Sequence, residues 1–126
     1  MLDRLPPITR TILMINLAMF LVTWMIPEID NMFRLSYDQA VENLQIYQFI
    51  TYQYLHGDFW HLFWNMLMLF FLGPVLEQMW GPKLYLQVYT IAGIISGILH
   101  ITFSPFPVVG ASGSLYAIFT AFALYY

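Results

Sequence analysis

The feature that most constrains this chain is a run of twenty residues, 84–103, that contains no charged side chain. A helix that crosses the hydrocarbon core of a bilayer needs about 20 such residues. Largely apolar runs also cover residues 8–26 and 59–78, and another begins at Ser112. Only 9% of the residues are charged and 60% are hydrophobic, whereas soluble domains carry about 25% charged residues. The sequence therefore predicts an all-α polytopic membrane protein.

Proline and glycine mark the ends of these runs, at Pro27, at Gly81-Pro82 and at Pro105. Charged and apolar residues are mixed in the first connection, which is typical of short amphipathic helices in the membrane interface. The fourth run has no stop signal, so we expect it to be the start of a span that continues in a longer protein. The predicted segments are transmembrane helices at about 8–26, 59–78 and 84–103, loops at 27–58 and 104–111, and the start of a fourth helix at 112–126.

Basic residues predict how the chain crosses the membrane. Arg4 and Arg10 precede the first apolar run and Lys83 lies between the second and third, whereas Arg34 alone lies in the first loop. Because basic residues stay preferentially in the cytoplasm, we predict a cytoplasmic N-terminus and external 27–58 and 104–111 loops. We expect a multi-pass protein of a bacterial-type cytoplasmic membrane. The net charge of −3 gives no indication of a nucleic-acid partner, so the lipid bilayer is the expected surrounding.

Polar side chains inside the apolar runs are the candidate functional residues, because a polar group at membrane depth is costly unless it has a partner or a role. His61 and Asn65 are four residues apart and share one helical face. His56 lies shortly before them, and Ser112 opens the fourth run within the sequence GASG. Each has a structural interpretation: His61 and Asn65 as interhelical hydrogen-bond partners, and Ser112 as a helix cap.

A metal site is the next interpretation of the histidines. His56, His61 and His100 supply three imidazoles, but the first two are five residues apart, which does not suit two ligands on one helix. We therefore predict no metal site and no cofactor.

The predicted topology favours a reactive serine. The second and fourth runs cross the membrane in the same direction, so His61, Asn65 and Ser112 should lie at similar depth. A helix that begins at Ser112 would add free backbone N–H groups, which favour a developing oxyanion.

Small residues recur at helical spacing in the last two runs. Gly93 and Gly97 form a GxxxG pattern, and Gly113, Ala117 and Ala121 repeat every four residues. Such patterns allow close approach of membrane helices, and they favour contact between the third and fourth runs.

With these motifs, the sequence resembles the N-terminal part of the rhomboid intramembrane serine proteases. The resemblance runs from about residue 8 to 126 and rests on the order and spacing of short motifs: His56, HLFWN with His61 and Asn65, Gly73, Glu77 and Gly81, then GASG with Ser112, and Tyr116. It implies a rhomboid-like helical bundle, cut within its fourth transmembrane helix, that cleaves transmembrane proteins near the external membrane face.

The resemblance also implies roles for residues. Ser112 would be the nucleophile, and His61 and Asn65 would donate to the oxyanion. Gly110 and Gly113 would allow close backbone approach. Three supporting residues would act nearby: Tyr116 packing on the catalytic imidazole, His56 ordering the loop, and Glu77 holding the far end of the second helix.

Two departures from the family pattern bear on function. The Trp-Arg pair usual in the first loop is absent, since Phe33 precedes Arg34. The family has six core spans with the general-base histidine on the sixth, so we expect residues 1–126 alone to be inactive. A non-catalytic rhomboid-like protein that binds membrane clients is the main alternative, and a transporter or channel subunit is a further one.

Overall fold

The computed structural model of the chain describes residues 2–125, and nearly all of its regular structure is helical. Its described α-helices are α1 (Pro7–Met25), α2 (Glu28–Phe33), α3 (Gln48–Thr51), α4 (Phe59–Trp80), α5 (Pro82–Phe103) and α6 (Ser112–Tyr125). A π-helical turn, Asp38–Glu42, lies between α2 and α3. Within residues 2–125, α1, α4 and α5 are long and apolar enough to cross a membrane, while α6 is a shorter apolar helix.

Sequence chemistry fixes where the long helices begin and end. Pro7 and Pro82 each open a helix, a position where the missing proline N–H is not needed. Gly81 separates α4 from α5 with φ of +83°, a conformation that favours glycine. α5 therefore turns back along α4, and α6 then lies against both of them.

The helices bury one shared core and leave their outer faces apolar. Leu69, Leu76, Tyr85, Tyr89 and Ile118 are fully buried at the centre of the bundle. Large hydrophobic side chains on the outside remain exposed, among them Trp24, Phe71 and Phe103. Such a surface suits lipid rather than water, so the chain is a multi-pass integral membrane protein.

A buried carboxylate joins α4 to the beginning of α1. Glu77 is 2% exposed. Its side chain accepts hydrogen bonds from Ile8 N at 2.9 Å and from Thr9 N and Thr9 Oγ1 at 2.7 and 2.8 Å. These N–H groups belong to the first turn of α1 and have no acceptor within that helix. Glu77 thus satisfies them and places a negative charge at the positive end of the helix dipole.

The small residues Gly93 and Gly97 of α5 pack against the first connection, residues 27–58, rather than against α6. A Cβ built on Gly93 would lie 2.2 Å from the Gln53 side chain, and one on Gly97 would lie 2.8 Å from Leu35. The Tyr52 hydroxyl donates to the Gly93 carbonyl. The contact between α5 and α6 does exist, and it includes the position where Gly113 faces Ser96. The GxxxG pattern therefore marks a close approach whose partner is a loop.

A short antiparallel bridge ties the first connection to the segment that precedes α6. Leu35 N donates to Val108 O at 3.1 Å, and Val108 N donates to Leu35 O at 2.9 Å. Gly110 N then donates to Tyr52 O at 2.9 Å. The first connection thus positions the backbone that enters Ser112.

Candidate active site

Ser112 lies at the first turn of α6. Leu115 N donates to Ala111 O at 3.0 Å, so the helical hydrogen bonds begin at Ala111, one residue before the serine. The Ser112 hydroxyl faces α4 instead of capping its own helix, within hydrogen-bond distance of His61 and Asn65. Backbone N–H groups in this first turn have no acceptor within the helix, and the positive end of the helix dipole lies beside the hydroxyl.

His61 and Asn65 reach Ser112 from the first two turns of α4. Asp58 caps this helix, and its carboxylate accepts a hydrogen bond from His61 N at 2.9 Å. His61 Nε2 lies 3.2 Å from Ser112 Oγ, and Asn65 Nδ2 donates to the same oxygen at 3.5 Å. One hydroxyl therefore faces two nitrogen groups that are one turn apart on the neighbouring helix.

His56 contacts the same Asn65 amide nitrogen that faces Ser112. It is 4% exposed, its ring lies 5.0 Å from the His61 ring, and its Nε2 is 3.0 Å from Asn65 Nδ2. Burial, reinforced by neighbouring His61 and opposed by Asp58, lowers the pKa of His56 to about 4. The ring is therefore neutral near pH 7. Because the Asn65 amide donates to Nε2, the His56 proton resides on Nδ1.

Two glycines flank the serine, and both are needed for space. Gly110 has φ of +126°, and a Cβ built on it would lie 2.7 Å from His61 Cε1. A Cβ on Gly113 would lie 2.3 Å from Ser96 Oγ. Gly110 thus lets the backbone pass directly against the His61 ring, and Gly113 lets α6 approach α5.

The remaining residues singled out in the sequence lie at different distances from the serine. Tyr116 is 69% exposed, and together with Ser112, Asn65, Met68 and Leu115 it lines a cavity of about 70 Å³. Glu77 lies at the opposite end of α4, where it holds α1. The structure brings together Ser112, His61, Asn65, His56 and Gly110, while Glu77 acts at a distance on the bundle itself.

Sequence reasoning missed several polar residues that hold this cluster in place. Gln53 is 1% exposed, its amide donates to Thr90 O at 3.3 Å, and it accepts from Ser114 Oγ at 3.3 Å. Ser114 Oγ also lies 2.6 Å from Tyr89 O. Gln53 therefore bridges the first connection, α5 and α6. A signal was present for Asp58, since an Asp directly before an apolar run is a common helix cap.

The arrangement has the parts of an acyl-transfer site. A serine hydroxyl, the nitrogen groups of His61 and Asn65 and a helix N-terminus lie close together, and Ser112 and Asn65 line one small cavity. Donors placed in this way stabilise the negative charge that develops on a carbonyl oxygen under attack.

Comparison with known protein families shows which family the sequence belongs to. The family model of the Rhomboid domain matches residues 43–126, two thirds of the chain, and this stretch contains His56, His61, Asn65 and Ser112. The chain belongs to the rhomboid family. The predicted rhomboid-like helical membrane bundle is thereby confirmed, since α1, α4 and α5 have the length and composition of transmembrane helices.

Similar rhomboids differ in what their names state about activity. YdcA of Bacillus subtilis, a protein named as a rhomboid, is 36% identical over 86 residues, which cover 67% of this chain and 43% of YdcA. The rhomboid protease GluP of the same organism is 40% identical over 62 residues, or 49% of this chain and 12% of GluP. Inactive RHOMBOID-like protein 8 of Arabidopsis thaliana is 32% identical over 75 residues, or 60% of this chain and 21% of that protein. The chain thus spans less than half the length of these relatives.

Proposed function

We propose that the full-length protein is an intramembrane serine endopeptidase that cleaves transmembrane proteins, with Ser112 as its nucleophile. The observation that carries this proposal is the convergence of His61 Nε2 and Asn65 Nδ2 on Ser112 Oγ, at 3.2 and 3.5 Å. The relative named rhomboid protease GluP supports the same reaction class.

In the proposed reaction, Ser112 Oγ attacks the scissile carbonyl of a transmembrane substrate, and the carbonyl oxygen becomes an oxyanion. His61 Nε2–H, the Asn65 amide and the Ser112 backbone N–H donate to this oxyanion. The base takes the Ser112 proton during the attack and passes it to the leaving amine as the intermediate collapses and the scissile C–N bond breaks. Water then hydrolyses the acyl-enzyme, which releases the second product and restores the Ser112 hydroxyl. One such donor is worth about 2.7–4 kcal/mol in soluble serine hydrolases.

The proposal assigns the general base to a histidine outside residues 1–126. A serine hydroxyl is a weak nucleophile near pH 7 unless a base removes its proton. In this reaction His61 donates a hydrogen bond to the oxyanion, so it is not the base. His56 is not the base either, because its Nε2 already accepts a hydrogen bond from Asn65. Residues 1–126 would thus supply the nucleophile and donors, and the rest of the protein would supply the base.

The test is cleavage of a transmembrane substrate by the full-length protein in proteoliposomes. Ser112→Ala should lower the rate by on the order of 10³-fold or more and abolish labelling by a fluorophosphonate probe. Ser104→Ala is the matched control, because Ser104 lies in the loop before α6 and its hydroxyl accepts a local hydrogen bond from Phe106 N. Full activity of the Ser112→Ala variant would refute the proposal.

A non-catalytic, client-binding rhomboid is the alternative, and the Arabidopsis relative named inactive is the observation in its favour. It predicts that client binding is retained in Ser112→Ala and that the wild-type protein neither cleaves nor reacts with the probe. The same experiment therefore separates the two functions.

A further inference from the structure

A second, larger cavity opens beside the serine cluster. It has a volume of about 500 Å³ and is bounded by the last turns of α1, by α2, by the His56–Gly57 loop and by Val109. That volume lies in the range of ligand-binding pockets. Val109 is three residues before Ser112, and His56 is hydrogen bonded to Asn65. The cavity is therefore linked to the serine cluster through His56 and through the segment that precedes Ser112.

The buried ring of His56 borders this cavity and also contacts the serine cluster. Its Nε2 is used by Asn65, so the proton is on Nδ1. Nδ1 is enclosed by protein atoms and has no hydrogen-bond partner among residues 2–125. Recognition of an occupant therefore falls to the other residues that line the cavity.

The rest of the lining suits a positively charged side chain. Asp30 and Asn31 of α2 line the cavity, as do the aromatic residues Phe20 and Trp24. The Asp30 carboxylate is only weakly engaged, since its ion pair with Arg34 Nη1 is long, at 4.0 Å. A lysine or arginine can lay its aliphatic stem along aromatic rings while its charged group reaches a carboxylate.

The wider charge pattern points in the same direction. The connection that forms this wall, residues 27–58, carries five acids and one base: Glu28, Asp30, Asp38, Glu42 and Asp58 against Arg34. A negative surface of this kind attracts a basic segment and disfavours an acidic one.

We propose that this cavity is a specificity subsite that takes a basic residue of the substrate segment flanking the scissile bond. The inference rests on the proposed function. The ammonium or guanidinium group pairs with Asp30 and Asn31, and the aliphatic stem lies against Phe20 and Trp24.

The experiment uses the full-length protein in proteoliposomes and a set of substrates in which one flanking position at a time is Arg, Gln or Glu. At one or two positions Arg should raise kcat/KM about fivefold over Gln, as for a partly exposed ion pair, and Glu should lower it. Asp30→Asn should remove this preference and Asp30→Lys should reverse it. Asp38→Asn is the control, because Asp38 is exposed on the same connection and does not line the cavity.

Two outcomes overturn the subsite. One is an Arg preference that is unchanged in Asp30→Asn, or absent at every position. The other is a change in kcat/KM on Asp30→Asn that is equal for Arg and Gln substrates and depends on the phosphatidylethanolamine content of the vesicles. That result would assign the cavity to the amine of a lipid headgroup. Binding of the same substrates to Ser112→Ala separates this inference from the proposed function. If the enzyme proposal fails, the Arg preference in binding and its loss with Asp30→Asn still decide the role of the cavity.

Discussion

At the scale of single residues, the site depends on the absence of a side chain at Gly110. We expect Gly110→Ala to lower activity of the full-length protein by about 10²-fold or more, the effect of losing one oxyanion donor. The added Cβ would lie 2.7 Å from His61 Cε1, and the φ of +126° is unfavourable for alanine. Substrate cleavage rates measure the effect.

Gly81→Ala is the matched control for that substitution. Gly81 also has a positive φ, of +83°, but it lies between α4 and α5, at the end of α4 away from Ser112, and a Cβ there meets nothing within 4 Å among the described residues. Its cleavage rate should stay close to that of the wild-type protein. Equal losses in both variants would contradict the assigned role of Gly110.

His56 makes stability depend on pH. Its folded pKa of about 4 lies below the ordinary value of 6.5, so the unfolded chain holds the proton more tightly at intermediate pH. The neutral ring therefore contributes stability above pH 6.5, and this contribution is lost as the pH falls toward 4. The shift corresponds to about 3 kcal/mol.

Unfolding in detergent at a series of pH values between 7 and 4 tests this expectation. His56→Gln removes the titrating group but keeps an oxygen that can accept from Asn65. The variant should therefore lose less stability than the wild-type protein over this range. An unchanged pH dependence in His56→Gln would show that other groups dominate the acid response.

At the scale of elements, the contact between α4 and α1 depends on one carboxylate. Glu77→Ala would leave the buried N–H groups of Ile8 and Thr9 without an acceptor. We expect the free energy of unfolding to fall by about 3 kcal/mol, with Glu77→Gln less severe because it retains one carbonyl oxygen. Thermal unfolding in detergent measures the change.

Glu42→Ala provides the comparison for Glu77. Glu42 is an exposed acid in the π-helical turn, so its removal should change stability by no more than about 0.5 kcal/mol. A similar loss in both variants would mean that net charge, rather than the α1 contact, underlies the effect.

The elements also show what sequence alone could predict. Hydrophobic run length predicted transmembrane helices, because a span in lipid must satisfy its own backbone hydrogen bonds. The partner of the GxxxG pattern was not predictable in the same way. Gly93 and Gly97 form a groove, and Gln53 and Leu35 of the first connection fill it instead of α6. The spacing of small residues within one helix indicates which face allows close packing. It does not indicate which other segment of the chain packs there.

At the scale of the whole molecule, the site joins segments that are distant in sequence. His61 and Asn65 precede Ser112 by about fifty residues, and the parallel course of α4 and α6 brings them together. The sequence predicted this convergence from topology. It did not predict the link from Asn65 to His56, because that contact depends on how the loop before α4 folds back over the helix.

The position of the whole molecule in the membrane remains a prediction, and single cysteines introduced into residues 1–126, which contain none, can test it. Gly57 lies at the Ser112 end of the bundle and Lys83 at the other end, and both are exposed. In intact cells, a membrane-impermeant maleimide should label Gly57→Cys directly and Lys83→Cys only after permeabilisation. The reverse pattern would overturn the predicted orientation.

The bridge between Leu35 and Val108 has a consequence for biosynthesis. A ribosome adds about 5–20 residues per second, so the partner of Leu35 emerges several seconds after Leu35 itself. During that interval the first connection has none of its contacts with the backbone before Ser112. Ser112 can therefore reach its position only after α5 has been synthesised, and a nascent chain that stops before Val108 carries His61 and Asn65 without Ser112.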